Sequence, residues 1–117
     1  MADEAVMQVL RNCRKRTIEL LDEESFNVSE ARGKLSKYWD IACFDQGCYK
    51  LVKVYVDEVP KHDLDRLLHF NRSPNGSNTI LQVFIWKKNA QKPVARPKLF
   101  YNDPKQEISE ELKKYVK

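Results

Sequence analysis

The sequence predicts an α/β protein with a mixed central β-sheet of about five strands flanked by helices, in the order α-β-β-β-α-β-β-α. Three observations support this class: a helical apolar stripe at the start, strand-like segments in the middle, and a change back to helical period at 60–70 before a further apolar segment. Two hairpin-like connections precede a β-α-β crossover. We therefore expect antiparallel pairing at one end of the sheet and parallel pairing where the crossover closes.

The first helix is predicted for 3–22, and Asp3 is suited to cap its N-terminus. The segment from Phe26 to Gly33 alternates loosely and predicts a strand. The next two segments, "DIACF" and "YKLVKVYVD", predict a hairpin around the turn "DQG". The helical stripe consists of residues at the spacing of one helical face: Val6, Val9, Leu10, Cys13, Thr17, Leu20 and Leu21.

The second half continues with a helix at 60–70, whose leucines share one face. Segment 79–88 is apolar on both faces and should be a central strand. Segment 92–101 predicts an edge strand, because its two prolines cannot donate hydrogen bonds to a sheet. A last helix is predicted to begin at Asp103.

Composition predicts a single globular domain, 1–117. Hydrophobic residues make up 42% and charged residues 32% of the chain, which excludes fibrous and disordered classes. The acidic start lacks the basic region of a signal peptide, and no segment approaches the roughly 20 apolar residues of a membrane span. We expect a cytoplasmic or otherwise intracellular protein with reduced cysteines and no membrane partner.

Strand alternation places polar side chains on one face of "YKLVKVYVD". Lys53, Tyr55 and Asp57 point one way, and Asp40 begins the neighbouring strand. Acids and a lysine near the middle of a sheet are the groups from which a metal-dependent phosphodiesterase is built, since carboxylates hold Mg²⁺ and a lysine steadies the attacking water or the developing charge. The ordinary alternative is a half-exposed strand with a solvated polar face.

Four segments occur in a characteristic order between residues 26 and 87: "ARGKLSKYWDIACF", the strand "YKLVKVYV", the helix "PKHDLDRLLHF" and "TILQVFIWKK". In this order they resemble the core of the PD-(D/E)-x-K nuclease superfamily, close to the archaeal Holliday-junction resolvases. The resemblance implies a restriction-endonuclease-like three-layer core, and it matches Asp40 to the metal-binding aspartate of the family.

The next strand departs from the family pattern. The family has apolar, apolar, Glu, apolar, Lys, whereas Lys53 stands here in place of the second carboxylate and Tyr55 in place of the catalytic lysine. A cation at that position would repel Mg²⁺. The resemblance therefore implies a degenerate active site without a cofactor; an active magnesium enzyme, with Asp40 and Asp57 as rearranged metal ligands and Lys53 acting on the water, is the alternative.

Basic residues gather in two clusters that suit nucleic-acid phosphates. Taken alone, the first cluster is more simply a solvated helix face, and the nucleic-acid interpretation depends on the two clusters together with Lys53. The clusters comprise Arg11, Arg14, Lys15 and Arg16 on the first helix, and Arg32, Lys34 and Lys37 shortly before Asp40.

These patterns favour a nucleic-acid-binding protein, with DNA as the expected partner, on a catalytically degenerate nuclease-like fold. The alternatives are an active Mg-dependent endodeoxyribonuclease, resembling a Holliday-junction resolvase, and a protein-interaction scaffold or accessory subunit. A homodimer is compatible with the family resemblance. The sequence carries no dinucleotide-binding fingerprint. Trp39 and Trp86 are expected to be structural, although an exposed Trp39 would be able to stack on a base.

Overall fold

The computed structural model describes residues 4–24, 27–31, 39–45, 48–68, 79–100 and 110–116. A short helical turn at 110–113 falls within the predicted last helix, whose predicted start lies outside the described residues. The other elements, in chain order, are α1 (Glu4–Glu23), β1 (Asn27–Glu30), β2 (Ile41–Asp45), β3 (Cys48–Val56), α2 (Lys61–Leu68), β4 (Thr79–Trp86) and β5 (Lys98–Phe100).

The described strands form one mixed sheet in the order β1-β2-β3-β4-β5. Strands β1, β2 and β3 pair antiparallel, β3 and β4 pair parallel, and β5 returns antiparallel to β4. The parallel pair is the one joined through α2, as a crossover requires. The predicted α/β class is thus confirmed, and so is the predicted change from antiparallel to parallel pairing.

Helix α1 covers one face of the sheet. Its buried residues Cys13 and Leu21 belong to a cluster with residues of β2, β3 and β4. The Thr17 hydroxyl accepts a 2.9 Å hydrogen bond from the Trp86 indole and donates to the Cys13 carbonyl at 2.7 Å. Val6 is 60% exposed, so the packed stripe begins later in the helix than predicted.

Helix α2 and the C-terminal turn cover the opposite face. Leu64 and Leu67 of α2 and Leu112 of the turn pack with Tyr55 and with alternate residues of β4. Strand β4 is buried on both faces from residue 80 to 86, as predicted for a central strand. Helical segments therefore lie on both sides of the sheet, which makes a three-layer arrangement.

Unequal strand lengths position the candidate site. Strand β3 has nine residues and β2 only five. Strand β2 begins at Ile41, opposite Val52, so β3 continues beyond the start of its neighbour. The backbone N–H of Asp40 still donates to the Val52 carbonyl at 3.0 Å. The next N–H of β3 on that side belongs to Val54, and it needs an acceptor other than a β2 carbonyl.

Candidate nucleic-acid interface

The Asp40 carboxylate is the acceptor for the backbone N–H of Val54. Its Oδ2 accepts a 2.7 Å hydrogen bond from the Val54 N–H, while its own carbonyl accepts from Ala31 at 3.0 Å. The Asp40 side chain is only 7% exposed. Asp40 therefore ties the beginning of β2 to the middle of β3 and to the end of β1.

Two cations contact the same carboxylate. The Arg14 guanidinium of α1 lies 3.0 Å from Asp40 Oδ1, and the Lys53 ammonium lies 3.7 Å from the same oxygen. Arg14 and Lys53 reach Asp40 from different elements, with side chains 38% and 22% exposed. The carboxylate that the family resemblance matches to a metal ligand is thus already paired with protein cations, and a metal ion would have to compete with both of them.

Tyr55 is a buried part of the core, 7% exposed. Its side chain packs beneath α2, and its hydroxyl donates a 2.9 Å hydrogen bond to Asp63 Oδ2. Burial, the hydrogen bond to Asp63 and the charge of that carboxylate raise the pKa of Tyr55, so the hydroxyl stays protonated at neutral pH. Lys53 Nζ lies 5.7 Å from the centre of the Tyr55 ring.

Asp57 and Asp40 have different hydrogen-bond partners. It follows the last residue of β3 with a backbone φ of 68°, in the left-handed region. Its N–H donates to the Trp86 carbonyl at 2.7 Å, and its Oδ1 accepts from the Lys88 N–H at 3.0 Å. Asp57 therefore holds the ends of β3 and β4 together. Because the strand has ended, the alternation that predicted a shared face with Lys53 no longer applies to it.

The described residues contain no group of three or more His, Cys, Asp or Glu side chains placed to hold a metal ion. Of the two ligands predicted for an active enzyme, Asp40 accepts a hydrogen bond from Val54 of β3, and Asp57 accepts one from Lys88, beyond the end of β4. Around Asp40, two cationic side chains offset the negative charge of one carboxylate.

A groove of about 500 Å³ opens beside Asp40, between α1 and the ends of β1 and β2. It brings part of the first basic cluster next to the predicted site. Its lining consists of Arg11, Arg14, Lys15, Ile18, Glu30, Ala31, Trp39, Asp40 and Ile41.

Among the described residues that line this groove, positive charges outnumber negative ones. Arg11, Arg14 and Lys15 contribute three positive charges, and Glu30 and Asp40 contribute two negative ones. Arg11 and Lys15 are exposed, and Arg11 donates to the Gln8 side chain on its own helix at 3.2 Å. Arg14 Nε is buried without a hydrogen-bond partner among the described residues. Sequence reasoning identified the cations but missed Glu30, for which no motif gives a signal.

Among the described residues predicted to bind phosphates, Arg16 does not line this groove. Arg16 donates to the Ala90 carbonyl and lies beside Trp86, on a different face of α1. The structure thus divides the first cluster into two surfaces. The second cluster, Arg32, Lys34 and Lys37, lies outside the described residues.

A buried lysine is a further polar feature that sequence reasoning missed. Lys50 is 3% exposed, and its ammonium donates to Gln82 Oε1 at 2.8 Å. Burial is the main cause that lowers the pKa of Lys50. Its position in β3, on the α1 face together with Val52 and Val54, is the only hint in the sequence.

Comparisons with known proteins leave the family open. A scan against models of protein families found no match, and a search of curated proteins found no match either. Within the described part of the chain, no helix has the length and apolar character needed to cross a bilayer.

Proposed function

We propose that this protein binds nucleic acid, with DNA as the expected partner, through the groove beside Asp40, and that its nuclease-like fold carries a degenerate catalytic site. The proposal uses the two features that occur together there: exposed cations for phosphates, and an acid already neutralised by the protein. It requires no bound metal for nucleic-acid binding.

The order of elements supports the nuclease-like part of the proposal. The series α1-β1-β2-β3-α2-β4 is the series on which the resemblance to the PD-(D/E)-x-K superfamily rests. Helical segments on both faces of a mixed sheet agree with the expected three-layer core. Fold alone does not establish activity, so the function depends on the site.

The observation that carries the proposal is the pairing of Asp40 with Arg14 and Lys53. Lys53 occupies the position of the second metal carboxylate, and it contacts the remaining one. With Asp40 neutralised, the exposed charges of Arg11 and Lys15 are left to attract phosphates. A polyanion can approach this groove without meeting an unpaired buried acid.

The test is a titration of fluorescein-labelled DNA with the protein at several salt concentrations between 50 and 200 mM, read by fluorescence anisotropy. We expect tight binding at low salt that weakens steeply as salt rises. The double variant Arg11→Ala/Lys15→Ala should bind more weakly, and the slope of log K against log salt should fall in magnitude by about 1.8 for two lost contacts to duplex phosphates.

A matched control is the double variant Lys113→Ala/Lys114→Ala. These lysines are exposed on the C-terminal turn, on the other side of the sheet, and the variant loses the same two positive charges. It should bind nearly as the parent protein does. Equal losses in both double variants would mean that net charge rather than this groove governs binding, and undetectable binding at 50 mM salt would refute the proposal.

Degeneracy of the catalytic site is tested separately. Plasmid and branched DNA are incubated with the protein in Mg²⁺ or Mn²⁺, and nicking is followed on gels. We expect no cleavage above a protein-free control. Cleavage that disappears in Asp40→Ala would show that the site is active, with rearranged ligands. The homodimer stays a prediction that light scattering would measure on the same preparations.

A further inference from the structure

Trp39 gives the groove a character that phosphate binding alone does not require. It directly precedes Asp40, is half-buried, and lines the same groove as Arg11, Arg14 and Lys15. Part of its surface packs against the core beneath α2. The indole is thus held by the core while another part of it borders the groove.

The other tryptophan shows what a purely structural indole looks like in this fold. Trp86 is fully buried, and its Nε1 donates to the Thr17 hydroxyl. Trp39 differs because it retains exposure and stands beside three cationic side chains. Core packing therefore accounts for one part of the Trp39 side chain, and another part borders a basic groove.

The size and composition of the groove suit a single strand of nucleic acid better than a duplex. Its volume of about 500 Å³ lies within the range of roughly 300–1,000 Å³ that is typical of pockets for small organic groups. In a duplex the base faces are covered by neighbouring bases, so the indole would have nothing to stack on. A single strand offers both a phosphate for the cations and an uncovered base face for the indole.

We infer that the groove binds single-stranded nucleic acid, with Trp39 stacking on one unpaired base while Arg11 and Lys15 contact the adjoining phosphates. The inference rests on the proposed function and specifies its ligand. DNA and RNA share this chemistry, because both carry phosphates and bases that stack.

The first experiment uses the tryptophan fluorescence of the unmodified protein. The chain has two tryptophans, and Trp86 is enclosed, so quenching by an added strand reports on Trp39. The probes are unlabelled oligo(dT) and oligo(rU) of 15 nucleotides and a 15-base-pair duplex. We expect both single strands to quench the fluorescence and the duplex to leave it nearly unchanged.

The second experiment compares Trp39→Phe with Trp39→Leu by anisotropy, using the same three probes in labelled form. Phenylalanine keeps an aromatic face and leucine does not, while both can fill the space against the core. Trp39→Leu should lose about fivefold or more in affinity for single strands, as expected for one lost stacked base. Its affinity for duplex should change less than twofold, and Trp39→Phe should be intermediate for single strands.

The outcomes separate this inference from the proposed function. Binding that depends on Arg11 and Lys15 but is equal for single strands and duplex, without quenching, overturns the inference and leaves the proposed function intact. Equal losses for all three probes in Trp39→Leu also overturn it, because they indicate a structural role. Absence of binding to every probe refutes both. If Trp39→Leu is unfolded by circular dichroism, the quenching experiment and Trp39→Phe decide.

Discussion

Replacing Asp40 with asparagine should destabilise the protein and at the same time strengthen its binding to nucleic acid. The side chain is 7% exposed and holds the Val54 N–H, Arg14 and Lys53 together. Asparagine keeps an oxygen that can accept from Val54, but it removes the negative charge. The two effects have opposite signs because the Asp40 charge that stabilises the fold also offsets Arg14 and Lys53, and asparagine leaves those cations to attract phosphates.

The expected loss of stability follows from the two cations. The ion pairs with the partly exposed Arg14 at 3.0 Å and Lys53 at 3.7 Å contribute about 0.5–1 kcal/mol each. Asp40→Asn should therefore lower the free energy of unfolding by about 1–2 kcal/mol, or Tm by about 4–8 °C at roughly 4 °C per kcal/mol. Asp40→Ala also leaves the Val54 N–H unpaired, which should cost about 1 kcal/mol more.

The gain in affinity is smaller. Two unit charges roughly 7 Å apart in a solvent-like dielectric interact by about 0.6 kcal/mol, so one additional uncompensated positive charge should tighten binding roughly threefold at low salt. Stability is measured by urea denaturation followed by circular dichroism, and affinity by anisotropy at a temperature where the variant is folded. Asp22→Asn, an exposed acid on α1, serves as the control and should change stability by less than about 0.5 kcal/mol.

Two results would refute this reasoning. An Asp40→Asn protein that is more stable than the parent would mean that the carboxylate carries an uncompensated charge, as an empty metal site does. A folded variant that binds nucleic acid more weakly would mean that Asp40 itself takes part in binding, directly or through an ion.

Substitutions at three further positions test the packing of the core. Tyr55→Phe removes the hydrogen bond to Asp63 and should lower the free energy of unfolding by about 1–2 kcal/mol in urea denaturation; an unchanged value would contradict the bond. Thr17→Val leaves the Trp86 indole N–H buried and unpaired, so we expect a loss of about 1–3 kcal/mol by the same method, against less than 1 kcal/mol for the conservative Thr17→Ser. Burial raises the pKa of Cys43 from 9.0 to about 11. Its protonated form thus stabilises the fold up to pH 9, and this contribution is lost as pH rises to about 11, so the stability of the parent relative to Cys43→Ala should fall by about 2–3 kcal/mol over that interval. If the difference in stability between the parent and Cys43→Ala does not change with pH, the Cys43 thiol is exposed to water.

The order and type of the elements were predictable because periodicity is a local property. The apolar stripe that predicts a helix and the continuous apolar run that predicts a buried strand can each be read within a dozen residues. The parallel pairing of β3 and β4 also followed, since a helical segment separates two strand-like ones. Local patterns were less informative where an element ends, as at Asp57, because alternation continues in the sequence after the strand has stopped.

Alternation also predicted which side chains share a face but not what covers that face. Lys53 and Tyr55 both point away from α1, yet α2 and the C-terminal turn bury Tyr55 to 7% exposure while Lys53 remains partly exposed. The cover comes from segments far away in sequence. No pattern within β3 distinguishes the two positions.

Local sequence shows an acid, Asp40, ahead of a strand that carries Lys53 and Tyr55 on one face, and basic residues on the first helix. That Asp40 and these basic residues meet follows from how the elements pack. Arg14 lies 3.0 Å from Asp40 because α1 packs across the sheet beside the point where β2 begins and β3 continues. Charge complementarity between residues from separate elements depends on how those elements pack, and packing is set by the whole core rather than by any segment alone.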